Sequence, residues 1–375
     1  MIDDREYIAP LPGNRTGVVA DADGAARALG RLVTGVRRGD APTGDDPTAV
    51  ALRNAAALRV THVAARYVSE DGPVAADGSW TADVELSWRF AGFDARTISE
   101  EVPVGFRSSG TGVVITGFGG AAGRVPIWLS GAVTVRRSAD TLVLVQGGAT
   151  KADEYARLAK NAVAAVRRVV PWRSPRLVLE VPARQGGLEN AMGAEPDSYR
   201  GVAAVTATVD GSSSATAPVH IFVNPDVIGN LKGVGAQVVL SHEATHAATG
   251  AATNTVRPTW LNEGFADYVA LRDVDLPLAT TAGQILKEVR RHGAPTHLPD
   301  KSDFNSQADT FGMEYEEAWL ACRTLAQVGG EKALVRLYDQ TGDGTPLEAA
   351  LRKDFGFGTR EFTKIWRQRL SDLAS

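Results

Sequence analysis

His242 and His246, with Glu243 beside the first, are the residues of this 375-residue chain whose types and spacing most directly specify chemistry. A helix advances about 100° per residue, so side chains at i and i+4 share one face, and two imidazoles placed there can reach a single metal ion. Glu243 flanks that face and suits a general base acting on a metal-activated water. A catalytic zinc takes three protein ligands and leaves its fourth position to water. The segment Ser241-His242-Glu243-Ala244-Thr245-His246 is therefore one ligand short.

The segment Trp260-Leu261-Asn262-Glu263-Gly264-Phe265-Ala266-Asp267 supplies the missing group. Pro258 and Thr259 read as a helix start, and Trp260, Leu261, Ala266 and Val269 provide apolar positions for packing. Glu263 and Asp267, again i and i+4, share a face. If this helix packs on the first, Glu263 completes a His2Glu zinc site and Asp267 accepts the second ring proton of a ligand histidine, fixing its tautomer.

These two segments resemble the gluzincin pattern of thermolysin-like and aminopeptidase-like zinc metallopeptidases, His-Glu-x-x-His followed by Asn-Glu-x-x-x-Asp, and Pro258 to Asp267 is most similar to the bacterial peptidase MA-like branch. The resemblance covers roughly residues 150 to 370. It implies one zinc ion held by His242, His246 and Glu263, Glu243 as base, Asp267 as outer partner, and a peptide or protein substrate cut internally. Sixteen residues separate His246 from Glu263, so the connection between the two helices is short. Two other readings remain beside it. One is a catalytically idle zinc-binding scaffold that binds a partner, against which the intact Glu243 argues; the other is a zinc hydrolase acting on a non-peptide amide or ester.

The same resemblance points to Tyr315, in Glu314-Tyr315-Glu316-Glu317-Ala318-Trp319, as a phenol aimed at the oxyanion. Its spacing with Ala318, Trp319, Cys322 and Ala326 also fits a plain core stripe. His292 and His297 lie in a loop-like stretch between these elements, where a second donor or simply two solvated histidines can be placed. His220 falls in the alternating strand Pro218 to Asn224, the kind of edge strand along which zincins bind substrate backbone, and reads as a strand-face residue. His62 is expected in an N-terminal helix and has no assigned role. Gly186-Gly187-Leu188-Glu189-Asn190 is similar to an aminopeptidase substrate-binding strand, yet its place among turn-forming residues reads as a loop or helix start. Exopeptidase activity is thereby unsupported.

Composition sets the outer limits. With 44% hydrophobic and 22% charged residues the chain is an ordinary globular one, and a net charge of −4 argues against a phosphate-tracking surface and a nucleic-acid partner. The single Cys322 excludes an internal disulfide framework. No apolar run is long enough to span a membrane, and Met1 to Glu6 lacks the apolar core of a signal peptide. The expectation is either a cytoplasmic protein or one trimmed of its export signal, in which case its place is extracellular or in the cell envelope.

The elements that must position the site divide near residue 150. Residues 1–45 read as an arm, a short helix from Ala25 to Arg37, and a Gly/Asp/Pro-rich linker. Asp46 and Pro47 then open a helix expected to run through Arg66. Strand-like runs follow at Thr81 to Phe90, Ala95 to Phe106, Gly112 to Thr116, and Pro126 to Arg136 with Thr141 to Val145. Residues 46–147 are thus expected to form an α+β, cone-shaped accessory module of the cystatin-like or nuclear-transport-factor-like kind. Residues 148–375 are expected to form a two-lobed zincin-like domain, with mixed strands and the zinc helix in front and an all-helical back half.

Overall fold

Continuous apolar runs and alternating ones build two different sheets in this protein. A computed structural model describes residues 19–120, 123–304 and 311–375. The expected arm lies outside the described residues up to residue 18.

α1 (Ala22–Arg38) starts where the Asp21 carboxylate accepts from Gly24 N, and α2 (Pro47–Leu58) starts where Asp46 accepts from Ala49 N at 3.0 Å with Pro47 in the first turn. α2 ends eight residues before the expected Arg66. Arg59 takes a left-handed conformation, and the β-branched run Val60-Thr61 with Val63 opens β1 (Val60–Asp71) instead. His62 therefore lies exposed on a strand, not on a helix, at a positive φ of 54° inside a register shift. β2 (Ser79–Phe90), β3 (Ile98–Ser109) and β4 (Gly112–Phe118) complete a four-stranded antiparallel sheet in the order β1-β2-β3-β4.

The strands expected to extend this sheet belong to another. After the single turn α3 (Ile127–Ser130), β5 (Thr134–Arg137) and β6 (Thr141–Val145) pair with each other, and β6 runs parallel to β7 (Leu177–Val181) beyond α4 (Ala149–Arg167). With α5 (Gln185–Met192), β8 (Ala204–Thr208) and β9 (Val219–Val223) the second sheet has the order β5-β6-β7-β9-β8. β6 and β7 are buried at every position. Alternate residues of β6 serve two cores: Val143 and Val145 face α4 and the C-terminal helices, while Leu142 and Leu144 face the first sheet with α1 and α2. A strand covered on both faces loses the polar alternation that marks a half-exposed one.

The remaining elements are helical: α6 (Pro225–Ile228), α7 (Gly235–Thr249), α8 (Thr259–Leu271), α9 (Leu278–Thr281), α10 (Gly283–His292), α11 (Phe311–Gly329), α12 (Glu331–Gly342), α13 (Leu347–Phe355) and α14 (Thr359–Ala374). The protein is thus a mixed α+β structure with a helical C-terminal half. Among the described residues no helix is long and apolar enough to cross a membrane.

Candidate metal centre

α7 carries the two histidines one turn apart in its second half, and α8 packs beside it with Glu263 and Asp267 on the facing side. Leu240 and Ala244 anchor α7 in the core, and Trp260, Leu261, Phe265 and Val269 anchor α8, so the polar stripes of both helices are brought together by apolar packing on either side of them.

His242 Nε2 lies 2.9 Å from His246 Nε2, and the two nitrogens lie 3.2 and 3.3 Å from Glu263 Oε2. A tetrahedral ion with bonds of about 2.0–2.1 Å has its ligand atoms roughly 3.3 Å apart, so one triangular face of such a site is laid out by these three atoms. Among the described residues this is the one group of histidine, cysteine and acidic side chains that could hold a metal ion. The donor set, two imidazoles and a carboxylate, suits zinc.

The surroundings of the two histidines differ. Asp267 Oδ1 accepts from His242 Nδ1 at 2.7 Å, which leaves Nε2 to face the centre. His246 Nδ1 is buried with no hydrogen-bond partner among the described residues. Burial disfavours the His242 cation, but the Asp267 and Glu263 carboxylates outweigh it and hold the imidazole well above its ordinary pKa. Burial works against the Glu263 carboxylate as well, and the adjacent His246 and His242 overcome it, holding Glu263 well below the carboxylate range.

Glu243 reaches the same cleft. Burial pushes its carboxyl up, against the charges of His242 and His246 and a hydrogen bond from Thr206. The sequence alone does not point to that bond: Thr206 Oγ1 lies 2.6 Å from Glu243 Oε2 and 2.9 Å from the Glu243 carbonyl oxygen. Thr206 stands on β8, an edge strand of the sheet, whereas β9, expected at an edge, is held between β7 and β8. The alternation of Ala204-Val205-Thr206-Ala207-Thr208 was the available signal, since it places Thr206 and Thr208 on a polar face.

Tyr315 sits in the second turn of α11, its ring centroid 6.1 Å from that of His242 and 5.2 Å from Phe304. Burial raises its phenol well above the ordinary value, and the charges of Glu263, Asp267 and Glu243 add to this. A cleft of about 320 Å³ joins these parts, lined by Val202, Ala203, Ala204, Val238 and Val239 on its apolar side and by His242, Glu243, Asp267 and Tyr315 on its polar side.

The other histidines stand elsewhere. His292 is exposed at the end of α10 against Glu288, and His297 is exposed beside the Leu298 carbonyl; neither lines the cleft. His220 is fully buried, with Nε2 2.9 Å from Asp94 and Nδ1 2.6 Å from Glu180. Gly186 to Asn190 lies within α5, a helix and not a substrate-binding strand.

The sequence matches no described protein family and no curated protein. Among solved structures, the chain is similar to an M1 zinc metallopeptidase from Deinococcus radiodurans, at 13% identity and a TM-score of 0.38, over 83% of this chain and 61% of that one. The chain thus spans about three fifths of that protein's length. So distant a likeness leaves the site's own geometry to speak for its chemistry.

Proposed function

We propose that this protein is a zinc-dependent metallopeptidase of the endopeptidase type, with one zinc ion held by His242, His246 and Glu263. The observation that carries the reading is the convergence of His242 Nε2, His246 Nε2 and Glu263 Oε2 at 2.9–3.3 Å, with the Glu243 carboxylate and the Tyr315 ring lining the same cleft. Zinc bound there supplies Lewis acidity, lowering the pKa of a water and polarising the scissile carbonyl.

The protein's own groups do the rest. Glu243, its basicity raised by burial, takes the proton of the attacking water and delivers it to the departing amine. Asp267 holds His242 in the tautomer that turns Nε2 inward. Tyr315 offers a phenol O–H to the carbonyl oxygen as it gains charge. Among the described residues the outer edge of β8 pairs with no other strand, and it offers backbone groups to an extended peptide. The apolar side of the cleft suits an uncharged side chain.

The test is cleavage of an unfolded protein by the wild-type chain and by Glu243→Gln, with zinc measured on both. Cleavage lost and zinc retained in Glu243→Gln is the expected result. Zinc in both with protein cleavage by neither would overturn the peptidase reading. Wild-type turnover of an amide or ester panel would then indicate a non-peptide hydrolase, and its absence an idle scaffold.

A further inference from the structure

We propose that α12 is a splint that fixes the distance between the two ligand-bearing helices, with Tyr338 as its positioning residue; the inference rests on the zinc reading above. The connection from α7 to α8 spans Gly250 to Pro258, and it is fastened to α12 at each end and in the middle. At the α7 end, the hydroxyls of Thr249 and Tyr338 lie 2.9 Å apart. In the middle, Asn254 Nδ2 donates to the Gly342 carbonyl at 2.9 Å. At the α8 end, Arg257 Nε donates to the Tyr338 carbonyl at 3.0 Å and Nη1 to Asn262 Oδ1 at 2.8 Å, while the Tyr338 hydroxyl donates to the same Asn262 oxygen at 3.3 Å.

Thr249 stands one turn after His246, and Asn262 immediately precedes Glu263. One phenol hydroxyl therefore touches both helices next to their metal-facing residues. The Tyr338 ring is clamped as well, stacked on Phe265 at 4.0 Å, with the Arg257 guanidinium 3.7 Å from its other side. Arg257, Asn262 and Tyr338 are all at least 90% buried. A guanidinium is costly to bury, and this one gives its bonds to two carbonyl oxygens that belong to different helices. Zinc tolerates about 0.2 Å of error in its bond lengths, so a small shift of α8 against α7 takes Glu263 out of range while leaving both helices folded.

The experiment compares zinc dissociation constants, by chelator competition, for wild type, Tyr338→Phe, Thr249→Val and Thr324→Val, with the absorption spectrum of each after cobalt substitution. Thr324 is the control: among the described residues its buried hydroxyl bonds to Leu320 O, within α11 itself. Tyr338→Phe is expected to bind zinc about tenfold more weakly or worse, with an altered cobalt spectrum; Thr249→Val, which severs the same link from the other side, shifts in the same direction. Thr324→Val keeps the wild-type affinity. Wild-type affinity and spectrum in both Tyr338→Phe and Thr249→Val would overturn the splint, as would an equal loss in Thr324→Val. A wild-type chain that takes up no zinc would instead overturn the metal reading, and the splint with it.

Discussion

A β-carbon added to Gly264 would stand 2.1 Å from the carbonyl oxygen of Ala318 and 3.1 Å from Cys322 Sγ, so α8 and α11 approach each other through a position only glycine can occupy. Glu263 precedes that glycine and Tyr315 lies one turn before Ala318. The contact that joins the helices is thus also what brings Tyr315 up to the side of α8 that carries Glu263. Gly264→Ala should push the helices apart, costing about 1–3 kcal/mol of stability and lowering zinc affinity together with turnover. Denaturant unfolding and zinc titration of the variant check this, and unchanged values in both would show that the pair can relax without moving Glu263.

Thr206 holds Glu243 from the edge strand, and a hydroxyl is the feature that matters. Thr206→Val should lower kcat, by about tenfold if the bond contributes a typical charge-assisted 1.5 kcal/mol, with zinc content unchanged. Thr206→Ser should restore most of the loss. Equal impairment of the serine and valine variants would assign Thr206 to packing alone.

Tyr315→Phe removes one donor from the cleft wall and leaves the ring against His242 and Phe304. A lost oxyanion donor costs about 10²–10³ in kcat, with little change in KM and none in bound zinc. Wild-type kcat in the phenylalanine variant would make Tyr315 a core residue of the α11 stripe.

His220 ties the second sheet to the loop after β2 through Glu180 and Asp94. Burial opposes its charge, but Asp94 and Glu180 together raise its pKa from 6.5 to about 9. A raised histidine contributes stability that is complete below 6.5 and lost as pH climbs through about 9. Glu100, pushed up to about 8 by burial, adds a loss in the same direction over a lower range. Tm should therefore fall by several degrees from neutral pH through pH ~9, and His220→Gln should flatten the upper part of that fall. A wild-type Tm that held constant over this range would show that the buried cation contributes nothing net.

What the sequence made legible is local. The i, i+4 pairs on α7 and α8 fix which side chains share a face, and the proximity of His242, His246, Glu263 and Asp267 follows once two apolar-backed helices pack together. Non-local pairing was not legible in the same way. Chain order places Thr141 to Val145 with the first sheet, although the apolar run Leu142 to Val145 is the mark of a strand covered on both faces. That β8 and not β9 lies at the edge has the same cause, because strand order in a sheet is set by partners distant in sequence. The Tyr338 and Arg257 contacts had no sequence signal at all: they depend on where α12 returns, nearly 90 residues after the histidines.

The most direct test of the central claim is the position of bound zinc. Crystals of the zinc-loaded protein measured at the zinc absorption edge should give one strong anomalous peak about 2 Å from His242 Nε2, His246 Nε2 and a Glu263 oxygen, and the peak should weaken or vanish in Glu263→Ala. A peak elsewhere, no peak in the wild-type chain, or full occupancy in Glu263→Ala would contradict the account.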